Sequence, residues 1–207
     1  MGGEGLSENY ASAFAGKLTP GSSPALLLVD MVSAYTEPAS PFYCDSAATA
    51  IASAARLLAA AREAQLPVVL TKVEYEAGGG NGGLFYRKVP ALKAFDQGSP
   101  LGQFPRELEP EATDQIVTKQ YPSAFFGTGL AKVLAELGVD TLVIGGFSTS
   151  GCVRASTLDA LQSGFAPFVV RDACADRHPE PHEANLFDLQ AKYAEVIDEA
   201  AALDILR

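Results

Sequence analysis

Three side chains of types that can together hydrolyse an amide directly follow short apolar runs or a glycine-rich turn: Asp30, Lys119 and Cys152. A thiolate is a far better nucleophile than a thiol, and a nearby ammonium group or a helix N-terminus favours the anion and lowers the cysteine pKa. A carboxylate can accept the thiol proton and later return it to a leaving amine. We therefore predict a cysteine hydrolase in which Cys152 is the nucleophile, Asp30 is the base and Lys119 orients both.

The residues before Cys152 form a glycine-rich turn, residues 145–151 (GGFSTSG), which leads into a predicted helix. Backbone N–H groups in such a turn have no other partner in the fold and can face a developing oxyanion. Each side chain also has a simpler interpretation: Asp30 as a capping residue, Lys119 as a solvated group, Cys152 as a small buried apolar residue. Their predicted position on one edge of a sheet favours the catalytic interpretation.

That edge follows from an alternation of apolar runs, typical of buried strands, with helical patterns. Predicted strands cover residues 25–29, 67–70, 115–118, 141–144, 168–170 and 195–197. Predicted helices cover residues 46–65, 128–137, 152–163, 181–192 and 198–206. The alternation predicts an α/β fold, a three-layer α/β/α arrangement with a mostly parallel six-stranded sheet. Such sheets bind ligands outside the carboxyl ends of their strands, where all three side chains are expected.

We predict an N-terminal arm over residues 1–21 and a single domain over residues 22–207. Tyr10 and Phe14 have the spacing of one face of a short helix, so the arm is expected to dock on the domain or on a neighbouring subunit. Residues 74–110 are rich in Gly and Pro and show no clear period. A segment of that length in a compact domain is usually functional or an interface element.

Composition excludes several classes of protein. The formal net charge of -10 opposes binding to nucleic acid or to an anionic membrane surface. No apolar run approaches the roughly 20 residues of a membrane span, and the first residues do not resemble a secretion signal. Three cysteines without a CxxC pair favour a reducing, cytoplasmic location over a disulfide scaffold. Cys44 and Cys174 lack the setting of Cys152 and are expected to be structural, with Cys174 near the site rim.

The segments that carry the three side chains resemble the isochorismatase-like cysteine hydrolases over roughly residues 24–200. The matching motifs are LVDM at 28–31, Thr118-Lys119, and GFSTSGCV at 146–153. Residues 30–41, 85–95 and 172–193 further resemble the N-carbamoylsarcosine and maleamate amidohydrolases of that superfamily.

This resemblance implies a catalytic triad of Asp30, Lys119 and Cys152. It also implies a non-proline cis peptide at Phe147–Ser148, which is expected to direct the Ser148 N–H, with the Cys152 N–H, into an oxyanion hole.

The resemblance also implies the substrate: a small carboxylate with a terminal carbamoyl or amide group, such as N-carbamoylsarcosine. Maleamate and ureidoacrylate are the alternatives. Arg177 matches the family position that holds the substrate carboxylate, and a guanidinium fork suits that group; the simpler interpretation is a surface Arg paired with Asp176 or Glu180. Four further residues are expected to line the substrate: Ser148, Thr149, Tyr35 and Phe42.

We expect no cofactor and no metal. Relatives that hydrolyse nicotinamide carry an Asp/His metal cluster after the second strand, whereas residues 75–83 contain no His. His178 and His182 are spaced i, i+4, but Pro179 and Pro181 lie between and beside them and lead us to start the helix only at residue 181, which favours surface or hydrogen-bonded histidines over zinc ligands.

Relatives form dimers or tetramers, so the resemblance implies a homo-oligomer. Two other functions stay open: an isochorismatase-type vinyl-ether hydrolase, which needs no cysteine, and a non-catalytic assembly domain.

Overall fold

The computed structural model describes residue 5, residues 9–10 and residues 13–207. Its centre is a six-stranded sheet in the order β3-β2-β1-β4-β5-β6, and every pairing is parallel. This confirms the predicted α/β fold. The strands are β1 (Pro24–Val29), β2 (Val68–Val73), β3 (Gln115–Lys119), β4 (Thr141–Phe147), β5 (Ala166–Ala175) and β6 (Glu195–Ile197). The strand order reverses between β1 and β4, and a parallel sheet opens a ligand crevice at such a point.

Helices cover both faces of the sheet and form the outer layers. Successive side chains of β1 point to opposite faces: Leu26 and Leu28 pack in one core and Leu27 and Val29 in the other. The first core lies against α1 (Ala47–Glu63) and α6 (Glu199–Ile205). The second lies against α3 (Leu130–Glu136), α4 (Arg154–Gln162) and α5 (Pro179–Lys192). Among the described residues, no helix is both long and apolar enough to cross a bilayer.

The structure corrects the predicted start of α5. This helix begins at Pro179, two residues before the predicted start, with His178 as its N-cap and His182 in its first turn. Proline is well suited to the first turn of a helix, because the N–H that it lacks has no intrahelical acceptor there. The two prolines therefore start the helix earlier than we predicted.

The long segment after β2 folds into short helices and turns. It contains α2 (Gly83–Lys88) and three 3-10 turns, Pro90–Phe95, Pro100–Gly102 and Arg106–Leu108. Tyr75, just after β2, donates its N–H to Phe95 O at 2.9 Å and accepts from Gln97 N at 2.7 Å. The segment thus folds back over the carboxyl end of β2, beside the predicted site.

The predicted arm is described only in part, because residues 1–4, 6–8 and 11–12 lie outside the described residues. The Tyr10 ring packs on Phe14, with 5.3 Å between ring centroids, and on Phe187 of α5, at 4.8 Å. The Leu18 N–H is hydrogen-bonded to Glu195 Oε1 at 2.8 Å. The described part of the arm therefore docks on the α5 side of its own chain.

Candidate active site

Asp30 occupies the carboxyl end of β1 in a left-handed backbone conformation, with φ of 52°. A non-glycine residue at positive φ is uncommon, and such residues concentrate at functional sites. Its side chain is only 2% exposed. One carboxylate oxygen accepts a hydrogen bond from Thr71 Oγ1 at 2.6 Å, and the other accepts from Lys119 Nζ at 2.7 Å. The Asp30 N–H is in turn hydrogen-bonded to Thr71 Oγ1 at 3.1 Å. The carboxylate is therefore held from β2 and β3 at once.

Lys119 ends β3 and is buried, with 1% of its surface exposed. Its ammonium group donates to Asp30 Oδ2 at 2.7 Å and to the carbonyl oxygens of Tyr121 and Pro122, both at 2.9 Å. Burial lowers the pKa of Lys119, but the charges of Asp30 and Cys152 raise it, and the net direction is upward. An ammonium group with three acceptors is fully satisfied, so Lys119 stays a fixed cation beside the carboxylate.

Cys152 follows the carboxyl end of β4, in a π-helical turn over Thr149–Val153 that leads directly into α4. The peptide bond Phe147–Ser148 is cis, as the resemblance implies. Gly146 has φ of 148°, and a Cβ atom there would collide with the Val29 carbonyl oxygen. Glycine at this position therefore lets β4 run close beside β1 as it enters the turn.

The thiol of Cys152 is electrostatically coupled to the ion pair. Burial raises its pKa, Lys119 lowers it and Asp30 raises it, giving a value of about 12. Hydrogen bonding to both side chains contributes to these shifts. Lys119 lowers the pKa of this thiol, as the sequence predicts for a nearby ammonium group, but burial and the carboxylate outweigh it and the net direction is upward. At neutral pH the thiol keeps its proton and has a carboxylate beside it to accept that proton.

Two residues that the sequence reasoning did not assign to the site hold the turn before Cys152. Asp176 follows β5, and its carboxylate accepts hydrogen bonds from Ser150 N at 2.7 Å and from Arg177 N at 2.8 Å. His182 Nδ1 lies 2.8 Å from Thr149 Oγ1. Their position after β5 was a usable signal, because the carboxyl end of β5 lies beside that of β4.

Arg177 lies on the exposed segment between β5 and α5. It lines a cavity of about 300 Å³ together with Asp45, Ser46, Cys174, Asp176, His178, Pro179 and His182. No ion pair joins its guanidinium to Asp176 or Glu180, the two partners that the simpler interpretation required. The group therefore has no acidic partner within 4.0 Å in the described part of the chain.

The sequence of the chain matches a known protein family. The family described as "Isochorismatase domain" matches residues 24–201. The chain belongs to the isochorismatase family. Two relatives are amidohydrolases by name, and the chain is accordingly a hydrolase of carbon–nitrogen bonds other than peptide bonds.

The first of these relatives is the maleamate amidohydrolase of Pseudomonas putida, 43% identical over 97% of this chain and 94% of that protein. The second is the N-carbamoylsarcosine amidase of an Arthrobacter species, 32% identical over 88% of this chain and 71% of that protein.

Solved structures show the same isochorismatase fold. An isochorismatase family protein from Desulfovibrio vulgaris superposes with a TM-score of 0.81 and 28% identity, covering 90% of this chain and 99% of that one. A cysteine hydrolase from Pseudomonas syringae pv. phaseolicola superposes with a TM-score of 0.86, covering 91% and 95% of the two chains. Its 24% identity supports the fold alone.

A cluster of packed aromatic rings lies beside this isochorismatase-family site. Tyr35 is buried, and its ring lies 4.8 Å from that of Phe147. Burial raises the pKa of Tyr35, and Cys152 and Asp30 raise it further, so this phenol stays protonated. Phe42 packs between Tyr35 and Phe95, with ring centroids 5.9 and 4.8 Å away. The substrate contacts predicted for Tyr35, Phe42, Ser148 and Thr149 stay predictions.

Tyr75 is a site neighbour that we did not anticipate. Burial raises its pKa, with smaller contributions from Cys152 and Asp30. Its hydroxyl donates to Gln120 O at 2.9 Å, which anchors the side chain to the segment directly after β3.

The other two cysteines are buried, as a structural role requires. The Cys44 thiol donates to Asp176 O at 2.9 Å, and burial raises the pKa of Cys174 to about 12. In the described residues no group of three or more His, Cys, Asp or Glu side chains could hold a metal ion. His178 pairs with Glu180 and His182 with Thr149, so the two imidazoles are engaged separately.

Proposed function

We propose that the chain is a cysteine amidohydrolase that removes ammonia from a small acid with a terminal amide or carbamoyl group. The observation that carries this proposal is the buried ion pair between Lys119 and Asp30, 2.7 Å long, next to the thiol of Cys152. A buried charge pair is weak evidence for stability on its own. Placed against a nucleophile at the carboxyl end of a sheet, it supplies both a base and a fixed counter-charge.

The acylation half of the reaction begins with proton transfer from Cys152 Sγ to Asp30. The sulfur attacks the amide carbon, and the carbonyl electron pair moves to its oxygen, where the N–H groups of Ser148 and Cys152 stabilise the negative charge. The tetrahedral species then collapses and breaks the C–N bond. Asp30 returns its proton to the leaving nitrogen, which departs as ammonia, and an acyl-cysteine remains.

Hydrolysis of the acyl-cysteine uses the same groups. Asp30 accepts a proton from water, and the oxygen attacks the thioester, or the thiocarbamate when the substrate is a ureido acid. The C–S bond then breaks, and the sulfur recovers its proton from Asp30. Lys119 keeps its proton throughout, because its three hydrogen bonds and the adjacent carboxylate favour the ammonium form.

The substrate that we propose to test first is maleamate, followed by N-carbamoylsarcosine. The support is the 43% identity to a maleamate amidohydrolase over nearly the whole chain, against 32% to an N-carbamoylsarcosine amidase. Both substrates carry a carboxylate at one end and a CONH₂ group at the other. The guanidinium of Arg177 is the proposed partner of that carboxylate, and Arg177→Ala is expected to act mainly by raising KM.

The test is ammonia release from maleamate, N-carbamoylsarcosine, ureidoacrylate, biuret and nicotinamide. We expect release from one of the first three, and we expect Cys152→Ser to lose it. Cys174→Ser is the control, because it removes a buried thiol that lies outside the triad. Release at the parent rate by Cys152→Ser would end the cysteine mechanism. Release from none of the five would favour the vinyl-ether hydrolase or the assembly domain.

A further inference from the structure

The turn that carries Cys152 is held by side chains from elsewhere in the chain as well as by hydrogen bonds within its own backbone. Within it, Gly151 N and Val153 N both donate to Ser148 O, at 3.0 and 3.2 Å. The two residues between, Thr149 and Ser150, are held by side chains that arrive from the segment following β5. Because the thiol follows immediately, the position of these two residues sets the position of Sγ.

The first of these side chains, Asp176, contacts two parts of the site. One oxygen accepts Ser150 N at 2.7 Å, and the other accepts Arg177 N at 2.8 Å. Its own carbonyl oxygen accepts the Cys44 thiol at 2.9 Å, which anchors Asp176 to the segment before α1. A single carboxylate therefore fixes the spacing between the turn of the nucleophile and the backbone of Arg177.

The second side chain, His182, contacts the turn at Thr149. Its Nδ1 lies 2.8 Å from the hydroxyl of Thr149, a fully buried residue. His182 is placed there because α5 begins at Pro179, which brings its first turn against residues 149–153.

We propose that Asp176 and His182 are positioning residues, which hold the turn of Cys152 so that its thiol meets the Asp30–Lys119 pair, and that Asp176 also sets the distance from this turn to Arg177. This inference rests on the proposed function, since it assigns these residues to the acyl transfer at Cys152. A displacement of about 1 Å at a reacting group can lower a rate by on the order of 10²-fold, so holding this turn has a large effect on catalysis.

The two residues are expected to give different kinetic signatures. His182→Phe removes the hydrogen bond to Thr149 and keeps a ring in place, so kcat should fall about tenfold to hundredfold while KM stays within about twofold. Asp176→Ala releases both the turn and Arg177, so kcat should fall by a similar factor and KM should rise as well. The double variant should fall less than the product of the two effects, because both side chains hold one turn.

Conservative variants separate positioning from simple loss of folding. Asp176→Asn retains an oxygen that can accept Ser150 N, and His182→Asn retains a polar group close to Nδ1. Both should recover kcat to within roughly fivefold of the parent. The control is Asp140→Ala, which removes a carboxylate that accepts Ser22 N at 3.0 Å and Ser23 N at 3.2 Å before β4, at the opposite end of the sheet. This control should leave kcat and KM unchanged.

A measurement without substrate tests the same contacts. Amide hydrogen exchange in a peptide spanning residues 148–153 should accelerate in Asp176→Ala and return towards the parent rate in Asp176→Asn. Unchanged exchange in Asp176→Ala, or a kcat equal to that of Asp140→Ala, would overturn the proposal. Because the exchange measurement needs no turnover, a parent protein that hydrolyses none of the tested amides would refute the proposed function alone.

Discussion

The Asp30–Lys119 pair gives the sharpest test of how the site is built. The variant Lys119→Met keeps the length of the side chain and removes its charge, which leaves the buried Asp30 carboxylate facing Thr71 and the Cys152 thiol without its cation. Attraction across the 2.7 Å contact is about 6 kcal/mol at an effective dielectric constant near 20. Desolvation of both groups offsets much of this attraction, and removing one partner of a buried pair typically costs about 3–5 kcal/mol. We expect a loss of that size in the free energy of unfolding.

The assay is urea unfolding of four proteins: the parent, Lys119→Met, Asp30→Asn and the double variant. Asparagine suits position 30, because it tolerates the positive φ found there better than most residues. Each single variant leaves a buried group without its partner, and the double variant does not leave a lone charge. The double variant should therefore lose about 2–3 kcal/mol less than the sum of the singles.

An exposed ion pair is the control for this cycle. Lys132 and Glu136 form an i, i+4 contact in which the side chains are 82% and 66% exposed. Lys132→Met should cost under about 1 kcal/mol, because water screens the pair. If Lys119→Met were as mild as Lys132→Met, or if the effects of the two buried variants simply added, then the pair would not be coupled as its geometry requires.

Three further perturbations follow from single contacts. Thr71→Val removes a hydroxyl that both donates to the Asp30 carboxylate and accepts the Asp30 N–H, and should cost about 1–3 kcal/mol in urea unfolding; a loss below the error of the assay would contradict this bond pattern. Burial lowers the pKa of His182, with Arg171 lowering it and Glu183 and Asp176 raising it. The neutral imidazole of His182 therefore stabilises the fold above its ordinary pKa of about 6.5, and this stabilisation is lost as pH falls through the lowered pKa of the folded state. Tm measured from pH 8 to 5 should fall more steeply in the parent than in His182→Asn. Gly146→Ala places a methyl group against the Val29 carbonyl at positive φ and should abolish folding or shift Tm by more than about 5 °C, whereas a mild effect would show that β1 and β4 can separate there.

The sheet, and the edge of it that carries the three candidate catalytic side chains, were predictable from local sequence patterns. The apolar run Ala25–Val29 is buried on both faces, and it reads as a strand because no polar residue interrupts it. Asp30, Lys119 and Cys152 lie at or just after the carboxyl ends of β1, β3 and β4, so they had to lie at one edge, since parallel strands share their direction. The cis peptide was expected only through the resemblance, because backbone sterics alone disfavour it.

What escaped prediction depends on contacts between distant segments. Asp176 directly follows β5 and could have been assigned to the site from that position, whereas the contact of His182 depends on the start of α5, and the prolines that start this helix were interpreted as delaying it. The direction of the Cys152 pKa was missed for a related reason. Residue types indicate which charges are present, but the burial that dominates this pKa comes from packing, which no local pattern gives.

The raised thiol pKa leads to a prediction about the rate profile. A cysteine that reacts through freely titrating thiolate shows kcat/KM rising tenfold per pH unit up to its pKa. Here the thiol would gain almost no anion below pH 10, since its pKa is about 12. The proton instead passes to Asp30 inside the site, where solvent pH has little influence on the transfer. We therefore expect kcat/KM in the parent to change less than about threefold between pH 7 and 9, measured as ammonia release.

Removing the internal base should restore the missing pH dependence. In Asp30→Asn the thiol proton can leave only to solvent, so the residual kcat/KM should rise with a slope near one over pH 7–9, from a rate about 10²–10⁴-fold lower than that of the parent. Thr71 still contacts the asparagine, so the position of the side chain is largely kept. A parent profile that rises to a plateau near pH 8.5 would show an ordinary thiolate and refute the role of Asp30. A flat profile in the variant would show that another group accepts the proton.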